Sequence, residues 1–258
     1  MNKRQIAENI DEKIDDLVKS IDDPDIANTI DKHAIIAGGC IASMLLGEDI
    51  RDYDVYFDSA GSAEKVAKYY VERFGDGSIS VVHEGVSGPF AIDVPAGIEV
   101  NNEGTDKYRP ICVTEHAVTL ANNVQIVLRF CYSVEDIINV FDFIHCKNVW
   151  HDGSVTFNSD AIESILTRDL VYTGSSYPLA SLIRMRKFIK RGWNINAGQI
   201  LKIVFDLQKL DLNDYDVLRN QLVGVDTAFF SELLIQMRQE KPHNLDTFLT
   251  RYIDAELS

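Results

Sequence analysis

Two glycines and two aspartates lie within one short stretch of the chain and could do phosphate and metal chemistry. Gly38 and Gly39 follow an apolar run, and Asp52 and Asp54 follow a short apolar segment that ends at Gly47. A helix that begins after a glycine turn offers backbone N–H groups that favour phosphate. Aspartates at alternate positions of a strand share one face and offer the hard oxygens that Mg²⁺ prefers. The stretch predicts a site for a Mg·nucleoside triphosphate, or, as the plainer alternative, a turn before an exposed strand.

A basic segment farther along the chain could contribute to the same site. Five cations occupy one predicted helix: Arg184, Arg186, Lys187, Lys190 and Arg191. The formal net charge of the whole chain is −15, so this cluster stands out from an acidic background. It predicts contact with the triphosphate or with an RNA acceptor. The alternative is a solvated face that pairs with the acidic N-terminal helices.

The elements that must position these residues alternate between strands and helices. Residues 33–39 indicate a buried strand that ends in a tight turn, 40–47 a short helix and 50–57 a second strand. Asn122 and Asn123 separate two apolar segments and predict a β-hairpin. Ser62 and Ser133 predict the N-caps of two further helices. Residues 142–150 alternate as a strand, whereas residues 84–110 indicate a long loop or an irregular insertion.

The two ends of the chain show helical patterns alone. Residues 4–31 are acidic and place isoleucines at helical spacing, and Pro24 suits the first turn of a second helix. After about Gly174 the helical patterns are 177–193, 196–210, 216–222, 226–240 and 245–257. We therefore predict an α+β protein with an N-terminal helical segment at 1–31, a core domain at 32–173 and an all-helical domain at 174–258.

Bulk properties exclude some classes of protein. The chain is 46% hydrophobic and 25% charged, and its longest apolar stretch is too short and too interrupted to span a membrane. The N-terminus has no apolar signal core, so we expect a cytoplasmic protein. The four cysteines, Cys40, Cys112, Cys131 and Cys146, form no CxxC pair and predict reduced thiols. The nearby histidines His116 and His151 do not match the spacing of a zinc finger.

The glycines and aspartates together resemble a known motif. The order and spacing of three segments resemble the motif of the nucleotidyltransferase superfamily of DNA polymerase β type, and above all that of the head domain of tRNA CCA-adding enzymes and poly(A) polymerases. The three segments are Gly38–Gly39, Leu45–Leu46–Gly47 and the pair Asp52 and Asp54. Residues 34–195 also resemble a group of phage and viral nucleotidyltransferase-like proteins, which would imply the host cytoplasm. The resemblance implies a mixed-sheet nucleotidyltransferase core with Mg²⁺ or Mn²⁺ bound by the two aspartates.

The chain departs from this family at two places. Ala42–Ser43 stands where CCA-adding enzymes carry Arg-Asp, and Ser43 is a nucleotide-binding candidate together with Gly38 and Gly39. Gln125 stands where the family has a third carboxylate, which is usually a general base or a metal ligand. We predict that Asp142 supplies this carboxylate, because its neighbours Phe141 and Phe143 should face the core and turn it outward.

Two more polar side chains and the basic helix complete the candidates. Asp93 is the second candidate for the third carboxylate. His145 is predicted to be a packed histidine. Within the basic segment, Arg184 and Lys187 are expected to hold the triphosphate. Lys190 is also a nucleotide-binding candidate, and Lys190 and Arg191, nearer the end of the helix, are expected to contact an acceptor.

The leading functional hypothesis is an enzyme that moves an NMP from an NTP to an acceptor hydroxyl, with loss of pyrophosphate. The acceptor could be an RNA 3′ end, a protein side chain or a small molecule. Gln125 sustains a second hypothesis, a degenerate nucleotidyltransferase that binds a nucleotide without turning it over. In a third, the site is vestigial and the helical domain docks a partner. The sequence gives no oligomeric state.

Overall fold

The computed structural model describes residues 1–74, 80–83, 90–93, 98–99, 106–129, 133–212 and 214–222. The predicted α+β class is confirmed, because helices cover a mixed sheet of eight strands. The strands are β1 (Ala34–Ala37), β2 (Tyr53–Phe57), β3 (Ser80–His83), β4 (Phe90–Asp93), β5 (Ile98–Glu99), β6 (Pro110–Thr114), β7 (Ala117–Leu120), β8 (Val124–Val127), β9 (Val149–His151) and β10 (Ser154–Thr156). The helices are α1 (Lys3–Lys19), α2 (Pro24–His33), α3 (Gly39–Leu46), α4 (Ala60–Phe74), α5 (Val134–Asn139), α6 (Ser159–Thr167), α7 (Pro178–Lys190), α8 (Ala197–Leu207) and α9 (Tyr215–Leu222).

The order of strands in the large sheet places β2 at its centre. That order is β10-β9-β1-β2-β8-β7-β6-β5, and β3 and β4 form a separate two-stranded sheet. β2 pairs antiparallel with β1 and parallel with β8. Its central position means that β2 has a neighbouring strand on each side within the sheet.

The two faces of the sheet have different surroundings. One face presents Val55, Ile126 and Val118, which are fully buried in the main core together with apolar residues of the N-terminal helices and α4. The other face presents Ala37 and Tyr56, which pack in a smaller cluster with α5. The apolar stripe of α1 is buried in the main core, so residues 1–31 share that core with the sheet.

Most local signals in the sequence correspond to observed turns and caps. Pro24 begins α2, and Gly47 ends α3 with a left-handed φ of 69°. Asn122 and Asn123 also have positive φ values, of 63° and 60°, as a tight hairpin turn requires. Ser133 caps α5 through its side chain. These residues act on the backbone close to them in the chain, which is why sequence alone predicts them.

Other local predictions were wrong or lie outside the described residues. The helix expected to begin at Ser62 begins at Ala60, and Ser59 Oγ accepts the backbone N–H of Ser62 at 3.2 Å. Residues 142–150 form a 3₁₀ turn, Ile144–Cys146, before β9 begins. The predicted helices at 226–240 and 245–257 lie outside the described residues. The domain limits at 31 and 173 stay a prediction.

Candidate functional site

The aspartate pair lies at the beginning of the central strand. Asp52 is exposed just before β2, and Asp54 is half-buried within it. Because side chains alternate along a strand, both point to the face that also carries Tyr56. In the sheet, Asp54 lies between Ala37 of β1 and Gln125 of β8. Tyr53 points the other way and packs against the main core.

Gly38 brings the first turn of α3 against this aspartate. Its φ of 92° and ψ of −150° are accessible to glycine and strained for other residues. A Cβ at this position would lie 3.2 Å from Asp54 Oδ2 and 3.3 Å from the Phe141 ring. The Gly38 N–H donates to the carbonyl of Cys146 at 3.1 Å, which fixes the turn. Gly38 is therefore required by its backbone conformation and by the close approach of Asp54.

Gly39 differs from its neighbour. It is the first residue of α3, and a Cβ there would meet no atom within 4 Å. A side chain at Gly39 would therefore extend into open space. The binding of phosphate by Gly38 and Gly39 stays a prediction.

The charges at the site repel each other. Burial and, after it, the negative charge of Asp52 raise the pKa of Asp54 to about 7, while the cation of Arg184 opposes both effects. A divalent cation between the carboxylates would remove this repulsion, and two carboxylates are a donor set that Mg²⁺ accepts. Among the described residues, no group of three or more His, Cys, Asp or Glu side chains is placed to hold a metal ion. Asp52 and Asp54 therefore fit Mg²⁺ as a two-carboxylate set.

Asp142 is placed differently from the expectation. It is buried rather than turned outward, with 5% of its surface exposed. Its Oδ2 accepts the Nε of Arg184 at 2.8 Å and an Nη of the same guanidinium at 2.7 Å. Because Arg184 also acts on the pKa of Asp54, this arginine links the predicted third carboxylate to the aspartate pair. Asp93 is exposed on β4, in the separate two-stranded sheet.

The end of the basic helix is tied to α3. Arg191 donates to Ser43 Oγ at 3.1 Å and to Glu48 Oε2 at 2.6 Å. Arg168 binds the other oxygen of Glu48 at 2.8 Å and donates to the Arg191 carbonyl at 3.0 Å. Ser43 is buried and is occupied by this network. A role for Ser43 in nucleotide binding stays a prediction.

Lys187 and Lys190 lie farther along α7 than Arg184. Lys187 is half-buried and Lys190 is exposed. Since α7 advances one turn about every 3.6 residues, they lie nearly one and two turns beyond the arginine that reaches Asp142. Their contact with a nucleotide stays a prediction.

His145 is a packed residue, as predicted. It is buried between the rings of Phe188 and Trp193, at centroid distances of 4.5 and 4.3 Å. Burial lowers its pKa to about 3, so it is neutral. The described cysteines, Cys40, Cys112 and Cys146, are free thiols, while Cys131 lies outside the described residues.

Several residues of the site had no signal in the sequence. The Cys146 carbonyl, Glu48 and Arg168 come from loops and turns outside the glycine turn itself. Acids are frequent in this chain, so Glu48 alone could not be distinguished from a surface residue. Its partner Arg191 lies 143 residues away in the chain, so no local pattern links the two residues.

Comparisons with known proteins identify a family and more distant structural likenesses. Residues 8–168 match the model of the Gabija anti-defense 2 family. The protein named Gabija anti-defense 2 of Bacillus phage SPbetaL7 is 23% identical over 210 residues, which cover 80% of this chain and 45% of that protein. The chain thus spans less than half the length of this relative.

The structural likenesses are weaker. A tRNA-processing enzyme in an apo form gives a TM-score of 0.44 at 14% identity, covering 99% of this chain and 64% of that one. The Thermotoga maritima CCA-adding enzyme complexed with tRNA gives 0.42 at 14% identity, covering 88% and 53%. At these scores the likenesses support no statement about activity.

Proposed function

This chain belongs to the Gabija anti-defense 2 family, and we propose that it is a Mg²⁺-dependent nucleotidyltransferase that transfers an NMP from an NTP to an acceptor hydroxyl. The name of the phage relative states an action against Gabija, a defence. We propose that nucleotidyl transfer is the chemistry of that action in this chain. An RNA 3′ end, a protein hydroxyl and a small molecule are the acceptor classes to be tested.

One observation carries the proposal. Gly38 has a backbone conformation that would strain any other residue, and it brings the first turn of α3 against Asp54. The pKa of Asp54 is raised by burial and by the charge of Asp52. Packing alone gives no reason to hold two acids together in this way, because their repulsion destabilises the folded protein. Binding of a cation and a triphosphate would give a reason to hold the two acids together.

The residues of the chain would divide the work of the reaction. Bound Mg²⁺ would supply positive charge to the triphosphate, and Asp52 and Asp54 would hold it. The open N-terminus of α3 would bind phosphate oxygens. Arg184 would leave Asp142 for the triphosphate, which frees the Asp142 carboxylate to act as the third acid of the site.

The transfer itself is a single displacement. The acceptor oxygen forms a bond to the α-phosphorus while the bond from that phosphorus to the leaving pyrophosphate breaks. Pyrophosphate keeps the electron pair of the broken bond. The hydroxyl proton passes to Asp142, directly or through a water molecule.

Transfer of label from a nucleotide tests the proposal. The protein is incubated with each α-labelled NTP, with Mg²⁺ or Mn²⁺, and with total bacterial RNA or protein as acceptor. We expect label to enter one acceptor with the wild type and to be lost with Asp52→Asn or Asp54→Asn. Full turnover by either variant would exclude these residues as metal ligands. Asp31→Asn, at an exposed position on α2, is the matched control and should transfer label like the wild type.

A second function is favoured by two observations on the third acid. Gln125 lies beside Asp54 where a carboxylate would be expected, and Asp142 is bound by Arg184. If Asp142 stayed bound to Arg184 when a nucleotide is present, the protein would sequester or sense an NTP without turning it over. Calorimetry that finds Mg·NTP binding, together with no labelled product from any acceptor, would favour this function.

A further inference from the structure

A row of polar side chains continues from the aspartate pair across the sheet. Gln125 is the neighbour of Asp54 on β8, and Thr119 is the neighbour of Gln125 on β7. Residues in register on adjacent strands point to the same face, so Asp54, Gln125 and Thr119 share one side of the sheet. All three are half-buried, whereas the residues that alternate with them belong to the buried core. The catalytic face therefore extends as a partly open polar surface over the hairpin.

A pocket of about 230 Å³ lies on this surface next to the aspartates. Its lining includes Asp52, Gln125 and Thr119, with Arg51 and Ile111 at its sides. Ile111 is 41% exposed, so its side chain offers an apolar contact beside the polar groups of the pocket. The pocket is wide enough for one amino-acid side chain, and a side chain bound there would lie beside Asp52.

The polar groups of the pocket are arranged to bind a hydroxyl group. Gln125 Nε2 donates to Thr119 Oγ1 at 3.3 Å. Within the described part of the chain, this is the hydrogen bond that the Gln125 side chain makes, so its carbonyl oxygen remains to accept from a ligand. The Thr119 hydroxyl accepts from Gln125 and keeps its own hydrogen to donate. A ligand hydroxyl, which both donates and accepts, complements this pair.

The charges differ on the two sides of Asp54. Toward β1 lie the N-terminus of α3 and Arg184, which suit a triphosphate. Toward β8, the charged groups among the described residues of the pocket lining are Arg51 and Asp52, and their charges cancel. A nucleic acid strand carries one phosphate per nucleotide and binds to clustered cations. The pocket offers no such cluster among its described lining residues, and the chain as a whole carries a net charge of −15.

We infer that this pocket, formed by Gln125, Thr119, Ile111 and Arg51 beside Asp52, binds the acceptor of the reaction, and that the acceptor is a side-chain hydroxyl of a polypeptide. The inference rests on the proposed function and names its acceptor class. The hydroxyl oxygen, oriented by the Gln125 amide and the Thr119 hydroxyl, forms the bond to the α-phosphorus while pyrophosphate leaves with the electron pair. Because an amide takes up no proton, the proton leaves through water to Asp142. Ile111 packs against the carbon atoms of the acceptor side chain.

The nature of the acceptor is tested first with the wild-type protein. Each α-labelled NTP and Mg²⁺ are combined with N-acetyl-serinamide, N-acetyl-threoninamide or N-acetyl-tyrosinamide, with RNase-treated bacterial protein, and with protease-treated total RNA. We expect label in at least one amino-acid amide and in a protease-sensitive, RNase-resistant fraction. Label in RNA and none in the peptide or protein samples overturns the acceptor class while supporting nucleotidyl transfer. Absence of label from every sample overturns the proposed function and this inference with it.

The pocket is tested by two variants that each remove one polar group. Gln125→Leu and Thr119→Val should each raise the KM for the amide acceptor about fivefold, the effect of losing one neutral hydrogen bond. The KM for NTP should not change, because neither residue lies on the triphosphate side. Thr156→Val is the matched control, since Thr156 is an exposed threonine on β10.

Two further results decide the assignment. Gln125→Asn keeps an amide but shortens it, and we expect it to show the same defect as Gln125→Leu with an unchanged melting temperature. An unchanged acceptor KM in both Gln125 variants would overturn the pocket as the acceptor site. An equal rise in the KM for NTP and for acceptor would also overturn it, because that result places Gln125 at the nucleotide.

Discussion

Replacing Asp54 by asparagine should stabilise the protein at neutral and alkaline pH. The pKa of Asp54 in the folded protein is raised from 3.8 to about 7, first by burial and then by the charge of Asp52. The folded state therefore binds more protons than the unfolded chain between these values. As a result, the free energy of unfolding of the wild type falls as the pH rises through this interval. An asparagine side chain does not titrate in this range, so the free energy of unfolding of the Asp54→Asn variant does not fall in this way.

The size of the effect follows from the same pKa. A tenfold change in proton affinity is worth about 1.4 kcal/mol, so from pH 5 to pH 7 the wild type can lose at most about 2.7 kcal/mol relative to the variant. Because Asp54 is half-buried and solvent screens part of the interaction, we expect about 1 to 1.5 kcal/mol. Once the pH is well above the pKa of Asp54, the difference should be constant.

Urea unfolding at pH 5, 6, 7 and 8, in EDTA to remove divalent cations, measures this difference. Asp31→Asn, at an exposed position on α2, is the matched control and should show no such trend. Added Mg²⁺ should stabilise the wild type more than Asp54→Asn, because it relieves the repulsion that the variant lacks. A difference between wild type and Asp54→Asn that stays the same from pH 5 to pH 8 would refute the account of the aspartate pair.

Three further predictions concern the surroundings of the pair. Gly38→Ala should cost about 1–3 kcal/mol of stability, because alanine is strained at this φ, and it should weaken NTP binding. Gly39→Ala should change the melting temperature little. Equal changes in melting temperature in the two variants would contradict the observed geometry. Arg184→Gln should lower the free energy of unfolding more than Asp142→Asn does, because it leaves the buried carboxylate of Asp142 without its partner, at a cost of about 3–5 kcal/mol. If urea unfolding gave the reverse order, it would show that this ion pair does not form. Glu48→Gln should reduce stability by about 1–3 kcal/mol at pH 7 through the loss of two charge-assisted bonds. Burial alone raises the pKa of Glu48, but the bonds from the arginines outweigh it and lower the pKa overall, so the wild type should lose this stability on acidification and approach the variant.

Much of the glycine–aspartate motif could be predicted because its elements are local. The glycine turn, the short helix and the second strand follow one another along the chain, and the antiparallel pairing of β1 with β2 places Gly38 near Asp54. The same holds for the Asn122–Asn123 turn, where two residues with positive φ close the hairpin that carries Gln125. In each case a residue type is tied to a conformation that few others adopt.

The position of Asp142 could not be predicted in the same way. The alternation of 142–150 suggested a strand that turns Asp142 outward, but the carbonyl of Asp142 accepts from Thr173 and the chain then forms a 3₁₀ turn. Phe143 is buried in a cluster with Tyr172 and Trp193, so the residues after 170 decide the conformation of this segment. Arg184, which lies 42 residues from Asp142, completes the burial. No window of local sequence contains that information.

The contrast between Asp142 and Gln125 bears on how this site would work. A neutral amide beside Asp54 adds no further repulsion to the aspartate pair, whereas a carboxylate there would add repulsion. Among the described residues that line the pocket, Arg51 is the cation present, and its charge is balanced by that of Asp52. The third acid is instead placed on the β1 side, where Arg184 neutralises it. In our proposal Gln125 orients the acceptor without charge, and Asp142 becomes available as an acid only when a triphosphate draws Arg184 away.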